Sequence, residues 1–154
     1  MKIAVDQVYE NPTRFTGEEP SGILELSDDP TLHLTGGLRY DIEAEAIPGE
    51  LIVRGTLAIS VDFHCSRCGG IFSQEVREPG FEVVLAYTDE HALVDLTDEM
   101  RETMILAFPA YPVCRSECRG LCDQCGVNRN EATCKCRPPA DSRWGVLDRL
   151  DMRK

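Results

Sequence analysis

Along the first two thirds of the chain, apolar residues recur at every second position. Leu51, Val53, Leu57, Ile59 and Val61 are odd-numbered, with Glu50, Arg54 and Ser60 among the even positions. This is the alternation of a strand with one buried face. Leu38, Tyr40, Ile42, Ala44 and Ala46 alternate with Arg39, Asp41, Glu43 and Glu45 in the same way. Ile47-Pro48-Gly49-Glu50 joins the two runs with turn residues, which predicts an antiparallel hairpin. Phe72 to Val76 and Phe81 to Leu85, split by Glu78-Pro79-Gly80, predict a second hairpin, and Val94 to Leu96 a short strand. Tyr9 to Gly22, with Asn11-Pro12, Gly17, Pro20 and Gly22, reads as loop.

The period changes near Thr97. Met100, Met104 and Ile105 form one stripe of a helix over about 98–107, with Thr97 as its cap and Asp98 and Glu99 at the positive end of its dipole. Pro109 and Pro112 end it. From Cys114 to Asp141 only Leu121 and Val127 offer appreciable apolar surface. A terminal helix from about Ser142 to Arg153 presents Trp144, Leu147 and Leu150. The fold class is mainly β (α+β). An antiparallel, strand-rich domain spans residues 1–113 with one middle helix, and a cysteine-rich segment with a short terminal helix spans 114–154.

Cysteine changes this picture most. The eight cysteines of 154 residues fall as Cys65-x2-Cys68, Cys114-x3-Cys118-x3-Cys122-x2-Cys125 and Cys134-x-Cys136. Met1 to Gln7 lacks the apolar core of a secretory signal, so a cytoplasmic location is expected, where paired thiols serve as metal ligands rather than disulfides. Two thiolates on one tight turn reach a single zinc ion at about 2.3 Å. Four pairs suffice for one or two zinc ions, and a segment as thinly apolar as 114–141 would fold around the metal. Loop closure favours Cys122/Cys125 with Cys134/Cys136, leaving Cys65/Cys68 to meet Cys114/Cys118. The competing grouping places Cys114, Cys118, Cys122 and Cys125 on one ion and Cys65/Cys68 with Cys134/Cys136. His64 adjoins Cys65 and reads as a solvated strand-end residue.

Charge separates the two segments. The formal net charge is −11; residues 1–113 contribute −14 and residues 114–154 contribute +3. Arg115, Arg119, Arg129, Arg137 and Trp144 are the candidate contacts to RNA or a protein partner, although the tail's arginines equally suit compensation of thiolate charge. No apolar run reaches the ~20 residues of a membrane span. There is no phosphate-cradling glycine loop, nucleophile elbow or His-Glu-x-x-His, and closed all-thiolate sites leave no position for a reacting water. A non-enzymatic protein without a small-molecule substrate is expected.

Cys65-Ser66-Arg67-Cys68, Asp98-Glu99-Met100-Arg101-Glu102, Phe108-Pro109 and Pro112-Val113-Cys114 form an ordered set of motifs. Cys118-Arg119-Gly120-Leu121-Cys122, Cys125-Gly126-Val127-Asn128, Cys134-Lys135-Cys136 and Arg143-Trp144 continue it. Together they resemble the YceD family of large ribosomal RNA subunit accumulation proteins. The resemblance implies a bacterial or plastid factor needed for synthesis, processing or stability of large-subunit ribosomal RNA. The partner would be that RNA or a basic ribosomal protein. No catalytic residue carries over. The readings from other classes are a thiol-redox or zinc-responsive sensor using Cys65/Cys68, and a structural adaptor without RNA contact.

Overall fold

The computed structural model describes residues 1–9 and 11–136. Its centre is an antiparallel sheet built on β4 (Leu38–Ile47) and β5 (Glu50–His64). Pro48-Gly49 forms the two-residue turn of the predicted hairpin, with Gly49 at φ +84°, where a side chain would be strained. Leu51, Val53, Leu57, Ile59, Val61 and Phe63 are all buried, so one face of β5 supplies the middle of the core.

Two expectations fail here. Phe72 to Leu85 is no hairpin: β6 (Ile71–Ala86) is one strand of 16 residues, paired with β5 from His64↔Ile71 to Glu50↔Ala86. Gly55 faces Phe81 and Leu57 faces Glu78, so Pro79 and Gly80 together oppose Thr56 as a β-bulge. The bulge shifts the buried phase from even (Phe72, Val76) to odd (Phe81, Val83, Leu85). Proline, which lacks an N–H, is tolerated at a bulge in an edge strand. Nor is Tyr9 to Gly22 all loop. Thr13–Glu19 is a second edge strand, β2, pairing with β4 from Thr13↔Ala44 to Glu19↔Leu38. Pro12 and Pro20 bracket this strand rather than interrupt it, and a 3₁₀ turn, Ser21–Leu24, follows. β3 (Leu32–Leu34) extends the sheet beside the far end of β5.

A smaller layer closes the core. β1 (Lys2–Ala4) pairs with β7 (Leu93–Asp95), the strand expected at 94–96. Among the described residues the single α-helix is α1 (Thr97–Ala107), which packs on β5 and β6 through buried Met100 and Met104. Thr97 does not cap it. The Asp95 carboxylate accepts hydrogen bonds from the Thr97 hydroxyl (2.6 Å) and N–H (3.0 Å), which hold its pKa down at about 2. Asp98 and Glu99 occupy the first turn as expected, and extended Phe108 precedes Pro109. The expected terminal helix over 142–153, with Trp144, lies outside the described residues.

Candidate metal centre

Cys65 to Gly70 forms the tip of the β5–β6 hairpin. Cys65 O accepts from Gly69 N (2.8 Å) and Cys65 N donates to Gly70 O (2.9 Å). Cys122 to Val127 repeats the pattern, with Cys122 O accepting from Gly126 N (2.9 Å) and Cys122 N donating to Val127 O (2.8 Å). Gly69 and Gly126 lie at φ +71° and +72°, a region that favours glycine. Each Cys-x2-Cys-Gly run is therefore the same tight turn. In both, the first cysteine's sulfur faces the N–H groups two and three residues on.

The eight cysteines converge in two sets of four. Cys65, Cys68, Cys114 and Cys118 form one; Cys122, Cys125, Cys134 and Cys136 form the other. Within each set the sulfurs lie within 4.8 Å of one another, and none is in a disulfide. This is the grouping that loop closure favours. Four sulfurs about 2.3 Å from a central ion define a tetrahedron with edges of about 3.8 Å. The Cys65–Cys118 and Cys68–Cys114 separations are 3.8 and 3.9 Å. The donor set, spacing and lack of covalent pairing fit a zinc-sized divalent ion in each cluster.

Neighbouring residues tie the β5–β6 tip to the cysteine-rich segment. Ser66 N donates to Pro112 O (2.8 Å), and Leu121 N to Arg67 O (2.9 Å). The Arg67 guanidinium donates to the carbonyls of Ser116 (3.1 Å) and Cys118 (3.2 Å). Gly120, at φ +69°, leaves room for this contact, since a Cβ would sit 2.8 Å from Arg67 O. Asn130 Nδ2 donates to Cys118 Sγ (3.4 Å), while its Oδ1 accepts from Arg119 N (2.9 Å) and the Arg115 side chain (3.1 Å). Asn128 Oδ1 fixes Asn130 by accepting from its backbone and side-chain nitrogens. Arg67, Gly120, Asn128 and Asn130 escape a search for ligand spacing. The only signal in their favour is position, beside or between cysteine pairs.

The thiols are unequal. Burial raises Cys65, but N–H groups of Cys114, Cys68 and Arg67 outweigh it and bring its pKa to about 6. The N–H groups of Gln124 and Cys125, then Arg129, bring Cys122 to about 6. Cys114 is pushed up to about 12 by burial and by Cys118, Cys65 and Cys68. Cys136 reaches about 12 beside Cys125. Each cluster thus holds at least one thiol inclined to ionise and one that resists adding another negative charge; a bound dication removes that resistance.

The structure also places the other candidates. Arg115, Arg119 and Arg129 line a cleft of about 380 Å³ with Glu117 and Asn130. Arg129 is not a free surface charge: its guanidinium donates to Cys122 Sγ (3.6 Å) and Asp123 (3.3 Å). Arg137 and Trp144 lie outside the described residues. His64 is exposed at the end of β5, outside both four-cysteine sets.

The arrangement is that of a small antiparallel sheet domain carrying two four-cysteine clusters suited to metal. The family model of the large ribosomal RNA subunit accumulation protein YceD matches residues 72–151, and the chain belongs to this family. Uncharacterized proteins of Mycobacterium tuberculosis and Mycobacterium bovis are each 31% identical over 125 residues, covering 71% of this chain and 60% of the relative. The chain therefore spans less than two thirds of those relatives' length. A chloroplastic YCED homologue of Arabidopsis thaliana, named for large ribosomal RNA subunit accumulation, is 31% identical over 71 residues, 46% of this chain and 22% of that protein. No solved structure matches the chain. No helix among the described residues is long and apolar enough to cross a membrane.

Proposed function

We propose that this chain is a non-enzymatic, cytoplasmic accessory factor for large-subunit ribosomal RNA accumulation, acting in early subunit assembly by holding a basic ribosomal protein. Each four-cysteine cluster binds one zinc ion in a closed structural site. Zinc supplies cross-linking: at the first cluster it joins the β5–β6 tip to the segment after Pro112, and at the second it closes the 122–136 loop. The protein's own residues do the rest. The paired N–H groups of the two turns, with Asn130 and Arg129, stabilise thiolates, and the Arg67 side chain holds the β5–β6 tip against the segment that carries Cys118.

The observation that carries this reading is the placement of six of the eight cysteines inside the stretch that matches the family. The choice of a basic protein as partner rests on charge. Eight thiolates and two dications take the formal charge of the chain from −11 to −15. A surface of that sign repels bare phosphate and steers basic partners toward it. Direct RNA contact is the second reading, favoured by the cleft that Arg115 and Arg119 line.

Sucrose-gradient sedimentation of a lysate assembling ribosomes tests the proposal. The tagged chain should travel with large-subunit precursors and cross-link to a basic ribosomal protein. Remaining in the soluble top fractions would contradict it. Loss of precursor association on changing Arg115 and Arg119 to Glu, with zinc retained, would favour the RNA reading instead.

A further inference from the structure

Two grooves share Leu26 and Leu32 as walls. The larger, about 540 Å³, lies between β3, the tip of β5 and the end of α1, among apolar side chains that include Phe63, Ile105 and Phe108. Ile105 lies in the apolar stripe of α1 yet is 40% exposed. The smaller, about 180 Å³, runs along β3 between Leu34 and Ser21-Gly22. An apolar concavity of this extent is a surface suited to a partner.

β3 leaves one edge open. Thr35 N donates to Ser60 O and His64 N to Thr31 O, both at 3.0 Å. Bonding alternates along an antiparallel pair, so Leu32 and Leu34 turn their N–H and C=O groups away from β5. Among the described residues no further strand pairs with β3. Such an edge can accept an added strand, whose side chains two residues apart face one way.

The surroundings are acidic. Glu25 and Asp29 line the grooves, and no Lys or Arg does. Between Arg14 and Arg39 the chain holds five acidic residues and neither Lys nor Arg. Arg101 offsets Glu25 (3.3 Å) and Asp98 (2.8 Å), but Asp28 and Glu102 are exposed beside the grooves' walls. With zinc bound, the first cluster, which reaches the larger groove through Cys65, sets four thiolates against one dication. A field of this sign favours a basic segment.

We propose that an extended segment of a basic protein partner adds along the free edge of β3, with one apolar side chain in each groove and flanking Lys or Arg against the acidic rim. This rests on the reading of the partner as a basic protein and gives that protein its place on the chain.

The test titrates the zinc-loaded, isotope-labelled full chain with the capped peptide Lys-Lys-Leu-Lys-Leu-Lys-Lys, followed by nuclear magnetic resonance. Amides of Leu26, Leu32 and Ile105 should shift, exchange at the Leu32 and Leu34 N–H groups should slow, and added salt should weaken binding. Replacing the peptide's leucines with serine, or its lysines with glutamate, should abolish it. Ile105→Lys, at a half-exposed position, should also abolish it, with zinc content and core resonances unchanged. Asp28→Lys with Glu102→Lys should weaken binding about tenfold. Glu45→Lys with Glu50→Lys, the same change of charge on the opposite face of the sheet, should leave it unaltered. No shift, because another part of the chain already fills the grooves, would overturn the proposal. So would groove shifts driven by protein concentration alone, as for a second copy, or by oligouridylate instead of the peptide. Binding that survives Ile105→Lys, or that falls equally in both charge variants, would also overturn it. Sedimentation keeps the two readings apart. Wild type left in the top fractions refutes the basic partner itself, whereas wild type and Ile105→Lys both travelling with precursors refute only the grooves.

Discussion

Asn130 bonds a cluster sulfur through its amide nitrogen and two arginine nitrogens through its oxygen, so it sets the position of Cys118 and the segment around it at once. Groups that orient metal ligands typically change affinity by about 10–100-fold when removed. Asn130→Ala should weaken zinc retention at the first cluster by about that factor, measured by competition with a chromophoric chelator. Arg129→Glu should act at the second cluster, because it places a carboxylate against the Cys122 thiolate that Arg129 now faces. Equal retention in both variants and wild type would show these contacts to be incidental. The same groups set a pH dependence. Cys65 and Cys122 titrate near 6 instead of the ordinary 9.0. Each is a depressed acid, so its contribution to stability is complete above the unfolded value near 9 and is lost as pH falls through about 6. Zinc retention should weaken progressively as pH falls below neutral, because protons compete for all four thiolates of each cluster. Release already complete at neutral pH would contradict the assignment.

Among the elements, α1 separates burial from exposure most clearly. Met104→Ala removes a fully buried side chain and should cost about 2–5 kcal/mol in urea unfolding. A shift below about 0.5 kcal/mol would place the helix off the core. The β4–β5 hairpin was legible because strict alternation and a Pro-Gly turn agree with the observed pairing. β6 was not, since Glu78-Pro79-Gly80 has turn composition whether the chain reverses there or merely bulges. Only the partner strand decides, and pairing with β5 resumes on the far side of the bulge. β2 was hidden for a related reason: its prolines stand just outside the strand, and its pairing partner β4 lies well downstream, from Thr13↔Ala44 to Glu19↔Leu38. Spacing and loop closure favoured the observed partition of the cysteines but left the competing grouping open, because the cost of closing a loop grows only slowly with its length. The side chains that position them were not legible, because a hydrogen bond to sulfur needs no fixed spacing in sequence.

Across the whole molecule, the two clusters differ in access. Cys65 and Cys118 are buried, whereas Cys125 and Cys136 are exposed. Chelator should remove zinc in two kinetic phases, the second cluster first, and amide exchange should rise over 122–136 before it rises over 114–118. A single phase would show the clusters to be equally accessible. Residues 1–113, with their own apolar core, should keep their strand signature longest. The order of residues 114–136 depends most directly on what the sulfurs hold. Elemental analysis of the purified chain, combined with X-ray absorption at the zinc edge, should find two zinc ions per chain, each with four sulfur neighbours at about 2.3 Å. A chain free of metal with residues 114–136 still ordered, or zinc coordinated by oxygen or nitrogen, would contradict it.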